Sequence, residues 1–173
     1  MSGSSREEIE AALEALLPRF WRFALSLTGR ADRAEDLVQT TCERMLTHAD
    51  RYAPGTHVDR WGFTVMANLW RSEMRRVEPL PLDEAPEPSD EAADGETAQD
   101  RAVFTRQVLD AIDRLPTEQR SAIALVFGEG MTYRQAAETL SVPIGTIMSR
   151  IHSGRRRLAN ELARGERPAR HGR

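Results

Sequence analysis

The sequence predicts an all-α protein made of two small helical domains that a flexible acidic linker joins. Apolar side chains recur with the 3.6-residue period of amphipathic helices on both sides of a central segment. That segment, residues 78–100, holds nine Asp and Glu residues, no Arg and four of the chain's nine prolines. Such a composition buries too little apolar surface to offset the entropy of ordering it. We therefore expect domains at 1–77 and 101–163, the linker at 78–100 and a disordered Arg-rich tail at 164–173.

The composition excludes several classes of protein. Cys42 is the single cysteine, which rules out an intramolecular disulfide framework and a cysteine-rich metal site. The sequence has no signal peptide and no apolar run long enough to cross a bilayer, so we expect a cytoplasmic protein without membrane insertion. It also lacks paired catalytic carboxylates, a phosphate-binding glycine loop and metal-ligand spacing of His and Cys. We expect no catalytic residues, no metal and no cofactor.

Charge is divided unevenly along the chain. The formal net charge is −3, but leaving out the nine acids of residues 78–100 brings the rest of the chain to about +6. Outside that acidic segment the chain therefore has a basic balance, which suits binding to a polyanion such as nucleic acid and which the average charge conceals.

Two helices are predicted in the N-terminal third. Ser5 and Glu8 have the spacing of a capping box in front of a broad apolar face, and Pro18 should kink or interrupt that helix. Asp32 and Glu35 form a second capping signature. The helix that follows has a mainly apolar inner side and a polar outer side, and on spacing alone the outer side fits solvated surface as well as it fits a binding face. The outer residues are Asp36, Gln39, Thr40 and Glu43.

A third helix, from about Val58 to Arg76, follows the turn signal Pro54-Gly55. It is apolar on two sides, as is typical of a helix inside a bundle. Aromatic side chains beside its polar stripe can stack on unpaired bases, or they can belong to the core, which we favour for Trp70. The stripe consists of Thr64, Asn68, Arg71 and Arg75.

Residues 132–158 predict two short helices joined by a tight turn, after two further helices that meet near Leu115. Thr132 and Gln135 form a capping box, and Pro143 ends the first helix and starts the second. The second helix has an apolar stripe on one side and a polar face on the opposite side, and this polar face can enter a DNA major groove. A solvated helix of a small bundle fits the same geometry. The polar face carries Thr146, Ser149, Ser153, Arg156 and Arg157, with Arg150 on its flank.

Together these segments resemble the extracytoplasmic-function (ECF) group of bacterial RNA polymerase sigma factors. AEDLVQTTCERML (34–46) and WGFTVMANLWRSEMRR (61–76) are similar to the family's region two. LPTEQRSAIAL (115–125) and MTYRQAAETLSVPIGTIMSRIHSGRRRL (131–158) are similar to region four. GTHVDRW and LSLTGRADRAEDLVQ resemble the alphaproteobacterial general-stress subgroup. Two residues depart from the usual pattern: Met148 stands where Lys is frequent, and Ser141 where Gly is common.

The resemblance implies an alternative sigma factor rather than an enzyme. Its expected partners are core RNA polymerase (the β′ clamp and β flap), promoter DNA and an anti-sigma factor, and the free chain is expected to be a monomer. Core polymerase would bind Asp36, Gln39 and Glu43. The minus-ten element would bind Tyr52, Trp61, Asn68, Arg71, Arg75 and Arg76. The minus-thirty-five element would bind Thr146, Ser149, Arg150 and Ser153 through its bases and Arg155, Arg156 and Arg157 through its phosphates.

Two other classes of function remain open at this point. A one-component helix-turn-helix repressor would need a ligand pocket or a dimerisation helix, and the sequence suggests neither. A sigma mimic that serves as a decoy for an anti-sigma factor would share the fold, but we would expect it to lose the basic helix faces, which this sequence keeps.

Overall fold

The computed structural model describes residues 2–76 and 106–165, and every regular element in these ranges is helical, which confirms the predicted all-α class. The first range contains α1 (Ser2–Thr28), α2 (Ala31–Thr47), a 3-10 turn (Ala49–Arg51) and α3 (Val58–Arg76). The second contains α4 (106–113), α5 (Thr117–Ile123), a π-helical turn (Ala124–Gly128), α6 (Tyr133–Leu140) and α7 (Ile144–Gly165). The predicted linker at 78–100 lies outside the described residues, and so does the predicted tail at 164–173 apart from residues 164 and 165, which form the end of α7.

The predicted capping box at the start of α1 is wrong, because both of its side chains bind a different part of the chain. Helix α1 begins at Ser2, ahead of this pair. The Ser5 hydroxyl donates a hydrogen bond of 3.4 Å to the carbonyl of Tyr52. The Glu8 carboxylate accepts a bond of 2.7 Å from the Tyr52 hydroxyl. Ser5 and Glu8 therefore bind α1 to the segment between α2 and α3.

Two other local expectations also differ from the structure. Pro18 does not interrupt α1, which continues as one helix of 27 residues packed along α2 and α3. Helix α2 begins after Arg30, whose backbone is extended and whose side chain makes no cap bond. Asp32 instead binds the Arg30 guanidinium at 2.8 Å on the surface. Tertiary packing therefore stabilises both helices where the local signals are weak or unused.

A cluster of three phenylalanines forms the centre of the N-terminal bundle. The rings of Phe20 and Phe23 meet the ring of Phe63 edge to face, at centroid distances of 5.2 and 5.3 Å. Helix α3 comes this close to α1 because Gly62 has no side chain. A Cβ atom there would lie 2.2 Å from Cζ of Phe20. The glycine is therefore a packing requirement of the bundle.

The turn between α6 and α7 has the predicted construction. The Thr132 hydroxyl accepts from the backbone of Gln135, and the Gln135 side chain accepts from the backbone of Thr132 in return. Ser141 ends α6 in the left-handed conformation, with φ of 51°. Helix α7 crosses α5 closely, since a Cβ atom at Gly154 would lie 2.7 Å from Ile123. The predicted helix-turn-helix is confirmed.

The two halves pack against each other through buried polar contacts. Arg120, which is 6% exposed, donates from Nε to the carbonyl of Ser26 in α1 at 2.7 Å. Arg19 of α1 binds Glu129, which follows the π-helical turn, at 2.6 Å. Apolar residues of α5 to α7, such as Leu125, belong to the same buried cluster as the core of α1 to α3. The candidate binding residues of the two halves are therefore held in a defined relative position.

Candidate functional site

The outer side of α2 is a polar surface supported by a buried inner side. Asp36, Gln39 and Glu43 are exposed, and the Gln39 amide donates to the Glu43 carboxylate at 3.1 Å. On the inner side, the Thr41 hydroxyl bonds to the carbonyl of Leu37 at 2.7 Å, which lets a polar side chain be fully buried. The structure brings these three predicted polymerase-binding residues onto one face of a rigid helix.

An apolar groove of about 560 Å³ lies beside this surface, between α1 and α2. Leu17 is 44% exposed and Trp21 is 38% exposed, although both are large apolar side chains. Burial of Cys42 raises the pKa of its thiol, so the thiol stays protonated at neutral pH. The groove is lined by Leu17, Pro18, Trp21, Glu35, Val38, Gln39, Cys42, Glu43 and Leu46.

The broad apolar face predicted for α1 includes Leu17 and Trp21, and the groove that these two residues line was not predicted. A signal was present in α1. Leu16-Leu17 and Phe20-Trp21 are adjacent apolar pairs, and one buried stripe has room for only one member of each pair. Leu16 and Phe20 are the buried members.

The structure buries Tyr52, one of the residues expected to contact the minus-ten element. Its ring lies 5.4 Å from that of Trp61, and its side chain is 3% exposed. The hydroxyl contacts the Glu8 carboxylate at 2.7 Å and the carbonyl of Thr56 at 3.1 Å. Burial is the main cause that raises the pKa of the Tyr52 hydroxyl, and the hydrogen bond with Glu8 raises it further. In this arrangement Tyr52 supports Trp61, which is half-buried, and offers almost no surface of its own.

The polar stripe of α3 is already engaged in hydrogen bonds. The Thr64 hydroxyl donates to the carbonyl of Arg60 at 2.9 Å. The Arg71 guanidinium donates to the Asn68 side chain at 3.0 Å and, from its other nitrogen, to the carbonyl of Leu140 at 2.5 Å. Leu140 is the last residue of α6, so this bond joins the stripe to the C-terminal half.

The first turns of α3 face α6 across a cleft of about 250 Å³. Trp61 and Thr64 line one wall, while Gln135 and Glu138 of α6 line the other. Arg75 and Arg76, at the end of α3, are exposed beyond this cleft. The structure therefore places Trp61 and Arg71 close to α6, buries Tyr52, and leaves Asn68, Arg75 and Arg76 exposed.

Trp70 is half-buried, and the Arg33 guanidinium lies over its ring. The Cζ atom of Arg33 is 5.4 Å from the centroid of the Trp70 ring. Arg33 also binds Glu73 at 2.5 Å. This cation–π contact joins α2 to α3. It supports the expectation that Trp70 serves the packing of the bundle.

Helix α7 turns Ile147, Ile151 and Gly154 inward and a polar surface outward. Ser149 and the three consecutive arginines at 155–157 are exposed. The residues named for the minus-thirty-five element thus lie on one helix, but with different exposure. Those that are only half-buried are Thr146, Arg150 and Ser153.

Arg150 occupies a more enclosed position than its flanking place in the sequence pattern suggested. Its side chain is 19% exposed, and one terminal nitrogen lies 3.4 Å from the Glu118 carboxylate of α5. Its Nε is buried and makes no hydrogen bond with any described residue. The guanidinium is therefore directed along the α5–α7 contact.

Two exposed residues of α7 were absent from the sequence-based selection. Met148 is 53% exposed, and His152, one turn later, is also exposed. Both lie on one side of Ser149 on the helix surface, opposite to the side of Thr146 and Ser153. A helical projection centred on Ser149 would have included them. A methionine in place of the frequent Lys argues against a phosphate contact at position 148, and a lone histidine is more often a surface residue than a ligand, so the sequence pattern selects neither residue.

Within residues 2–76 and 106–165, no cluster of three or more His, Cys, Asp or Glu side chains has a metal-binding arrangement. None of the helices described is long and apolar enough to cross a membrane. The described surface is instead dominated by the α2 face with its groove, the α3 stripe and the outer side of α7.

Comparison with known proteins shows the family to which the chain belongs. Residues 12–78 match Sigma-70 region 2, and residues 105–158 match Sigma-70, region 4. The ECF RNA polymerase sigma factor EcfG of Rhodopseudomonas palustris is 37% identical over 161 residues, which cover 92% of this chain and 85% of EcfG. SigL of Mycobacterium tuberculosis, another ECF RNA polymerase sigma factor, is 32% identical over 82% of this chain and 86% of its own length.

A solved structure extends the similarity to the arrangement of the helices. The sigma factor RpoE of Bartonella quintana, solved in complex with the anti-sigma factor NepR, superposes with a TM-score of 0.71 at 27% sequence identity. The superposition covers 93% of this chain and 99% of that protein. CnrH, solved with the cytosolic domain of CnrY, shares the fold at a TM-score of 0.61 and 19% identity. The chain belongs to the ECF family of RNA polymerase sigma factors.

Proposed function

We propose that this sigma factor binds core RNA polymerase through α2, the minus-ten promoter element through α3 and the minus-thirty-five element through α7. Its function as an alternative sigma factor follows from its family. The main support for this assignment of the three helices is the outer side of α7, where Ser149 and a run of arginines are exposed on a helix-turn-helix. The protein acts in the cytoplasm, because that is where it meets polymerase and the chromosome.

Core polymerase binds the face formed by Asp36, Gln39 and Glu43 together with the adjacent groove. Carboxylates at the rim attract basic side chains of the β′ clamp, and the apolar groove supplies the area that gives affinity. The exposure of Leu17 and Trp21 supports this assignment, because large apolar side chains beside a polar rim mark a protein interface.

Opening of the minus-ten element requires α3 to move out of its contact with α6. Arg71 is bound to the carbonyl of Leu140, and Trp61 lines the cleft between α3 and α6. In the polymerase-bound state these groups are released, Trp61 stacks on an unpaired base, and Asn68 and Arg71 bind the strand. Arg75 and Arg76 approach its phosphates. Tyr52 acts indirectly, by holding Trp61 in place.

The minus-thirty-five element lies against α7 as duplex DNA. Ser149 and the half-buried Thr146 and Ser153 meet base edges in the major groove. Arg155, Arg156 and Arg157 bind phosphates, which positions the helix and adds affinity without sequence preference. Arg150 positions α7 through Glu118 and contributes to base reading only through that support.

The separation of the two DNA-binding surfaces requires two domains that can move apart. We assign these domains to 1–77 and 101–163, with 78–100 as the acidic linker and 164–173 as a basic tail. The interface is rich in polar contacts, such as those of Arg120 and Arg19, which water can replace when the halves separate. The β flap binds the C-terminal domain in this arrangement.

An anti-sigma factor controls this chain. Support comes from the RpoE structure that aligns over 93% of this chain, because RpoE was solved with the anti-sigma factor NepR. Similarity to EcfG agrees with the general-stress subgroup that the N-terminal segments resemble. The partner competes with core polymerase for the α2 face and groove, and the free chain is a monomer.

The deciding experiment is run-off transcription from genomic fragments by core polymerase, with and without this chain. Transcripts with defined start sites should appear only when the chain is present, and their upstream sequences should share minus-ten and minus-thirty-five elements. Core polymerase alone is the control. Tight binding to specific duplex DNA without polymerase, and no new transcripts with it, would support the repressor alternative instead.

A further inference from the structure

The first two turns of α7 expose two large apolar side chains. Ile144 is 46% exposed and Met148 is 53% exposed. The two are four residues apart and therefore lie one above the other on the helix surface. A Cβ atom added at Gly145, between them, would meet nothing within 4 Å, so this part of the helix is open to an approaching partner. The helix thus has an apolar edge that the protein core does not cover.

The surroundings of this edge favour DNA as its partner. No Asp or Glu occurs between Pro143 and Asn160, whereas three consecutive exposed arginines occupy 155–157. His152 lies one turn after Met148 on the helix, and Ser149 directly follows Met148 in the chain. Two apolar side chains are too few to form the core of a stable protein interface. They are sufficient to cover one apolar group within a polar, anionic partner.

We propose that Met148 recognises the C5-methyl group of a thymine in the minus-thirty-five element. This proposal rests on the placement of α7 in the major groove. The thymine methyl is the apolar group that a base pair presents in that groove. Met148 lies in the N-terminal half of the recognition helix, the part that approaches base edges. Its unbranched, polarizable side chain adapts readily to cover a methyl group.

The chemistry of this contact distinguishes thymine from bases without the methyl. Cytosine has a hydrogen at C5 in place of the methyl, and an amino donor where thymine has its O4 acceptor, so it offers Met148 no methyl group to cover. Uracil keeps every hydrogen-bonding group of thymine and lacks the methyl alone. Deoxyuridine is therefore the probe that isolates the contact. Burying one methyl group corresponds to about a fourfold change in affinity.

The test uses holoenzyme assembled from the full chain and a minus-thirty-five element enriched from random duplexes. Each thymine of the element is replaced in turn by deoxyuridine, and affinity is measured by competition. At one position the unmodified holoenzyme should lose about fourfold in affinity. Met148→Ala should lower affinity for the thymine duplex by a similar factor and bind thymine and deoxyuridine duplexes equally. The two changes should therefore not add.

Three controls give the result a single meaning. Met148→Leu keeps an apolar side chain of similar volume and should retain most of the discrimination. Ile144→Ala removes the neighbouring apolar group at the helix start and should leave discrimination at the Met148-dependent thymine unchanged. Circular dichroism should show equal helicity for all variants, because both positions are exposed and alanine is a good helix former.

Two outcomes would overturn the proposal while leaving the placement of α7 intact. One is an enriched element whose affinity is indifferent to deoxyuridine at every thymine. The other is a discrimination that persists unchanged in Met148→Ala. Failure to enrich any minus-thirty-five element would have a different meaning, because it would remove the proposed role of α7 and this contact with it.

Discussion

Arg120, in α5, donates a hydrogen bond of 2.7 Å from Nε to the main-chain carbonyl of Ser26, near the end of α1. A second bond of 2.7 Å joins its NH1 nitrogen to the carbonyl of Asp113. Burial lowers the pKa of Arg120, and the charge of Asp113 partly offsets this effect. The guanidinium still remains charged at neutral pH, because an arginine starts from so high a pKa. A buried cation thus joins the two halves, which in the function proposed above separate on a promoter.

Arg120→Ala should destabilise the closed arrangement. The change leaves the carbonyls of Ser26 and Asp113 without this donor, and a buried group that loses its partner costs about 1–3 kcal/mol. Urea unfolding of the full chain measures this loss. Arg6→Ala is the matched control, since Arg6 forms an exposed pair with Glu10, and it should change the free energy of unfolding by less than about 0.5 kcal/mol. Equal effects of the two variants would contradict the structural role of Arg120.

Gly62→Ala should destabilise the N-terminal bundle. The added methyl would lie 2.2 Å from Cζ of Phe20 and 3.1 Å from Cε of Met45, so α3 has to move away from α1. Overpacking of this kind costs about 1–3 kcal/mol. Thermal and urea unfolding give the magnitude.

Gly145→Ala provides a control of the same chemical size for that experiment. It adds the same methyl to a helix, but into open space. Alanine has the higher helix propensity, so this variant should gain up to about 1 kcal/mol. A gain at position 62, or a loss at position 145, would show that the helices are packed differently.

Asp36→Arg should weaken binding to core polymerase while the isolated chain keeps its helicity. Asp36 is exposed on the outer side of α2, so reversing its charge disturbs the interface and not the core. Competition against wild-type chain for a limiting amount of core enzyme measures the change. Asp50→Arg, a charge reversal on the exposed 3-10 turn after α2, is the control and should compete like the wild type. Equal competition by both variants would count against the α2 face.

Local signals predicted the C-terminal half of the structure well. The capping box at Thr132 and Gln135 and the turn before Pro143 involve residues close in sequence, so their chemistry is readable without the fold. The bounds of α3 were also predicted, because Pro54-Gly55 precedes it and its apolar pattern continues to Arg76. These features depend on backbone geometry over a few residues.

Features that depend on distant partners were not predictable in this way. Ser5 and Glu8 have a capping pattern, but both side chains form hydrogen bonds with Tyr52, more than forty residues away. Arg120 lies buried against α1 through its bond to Ser26, a contact between residues 94 positions apart that no local pattern indicates. Periodicity identified the apolar side of α1, but it does not show which residues of that side another helix covers, and Trp21 is 38% exposed there.

The last prediction distinguishes two arginines of α7 that were both expected at the minus-thirty-five element, Arg150 at its bases and Arg156 at its phosphates. Arg156 is exposed, whereas the Arg150 side chain is 19% exposed and directed toward Glu118. Arg156→Ala should lower the affinity of the holoenzyme for matched and scrambled upstream elements alike, and should reduce the salt dependence by about one ion, because a phosphate contact is lost. Arg150→Ala should leave that salt dependence unchanged and lower the free energy of unfolding. Affinities at two salt concentrations and urea unfolding, measured on both variants, provide the comparison. A selective loss on the matched element for Arg150→Ala, with normal stability, would mean that Arg150 leaves Glu118 and binds a base directly.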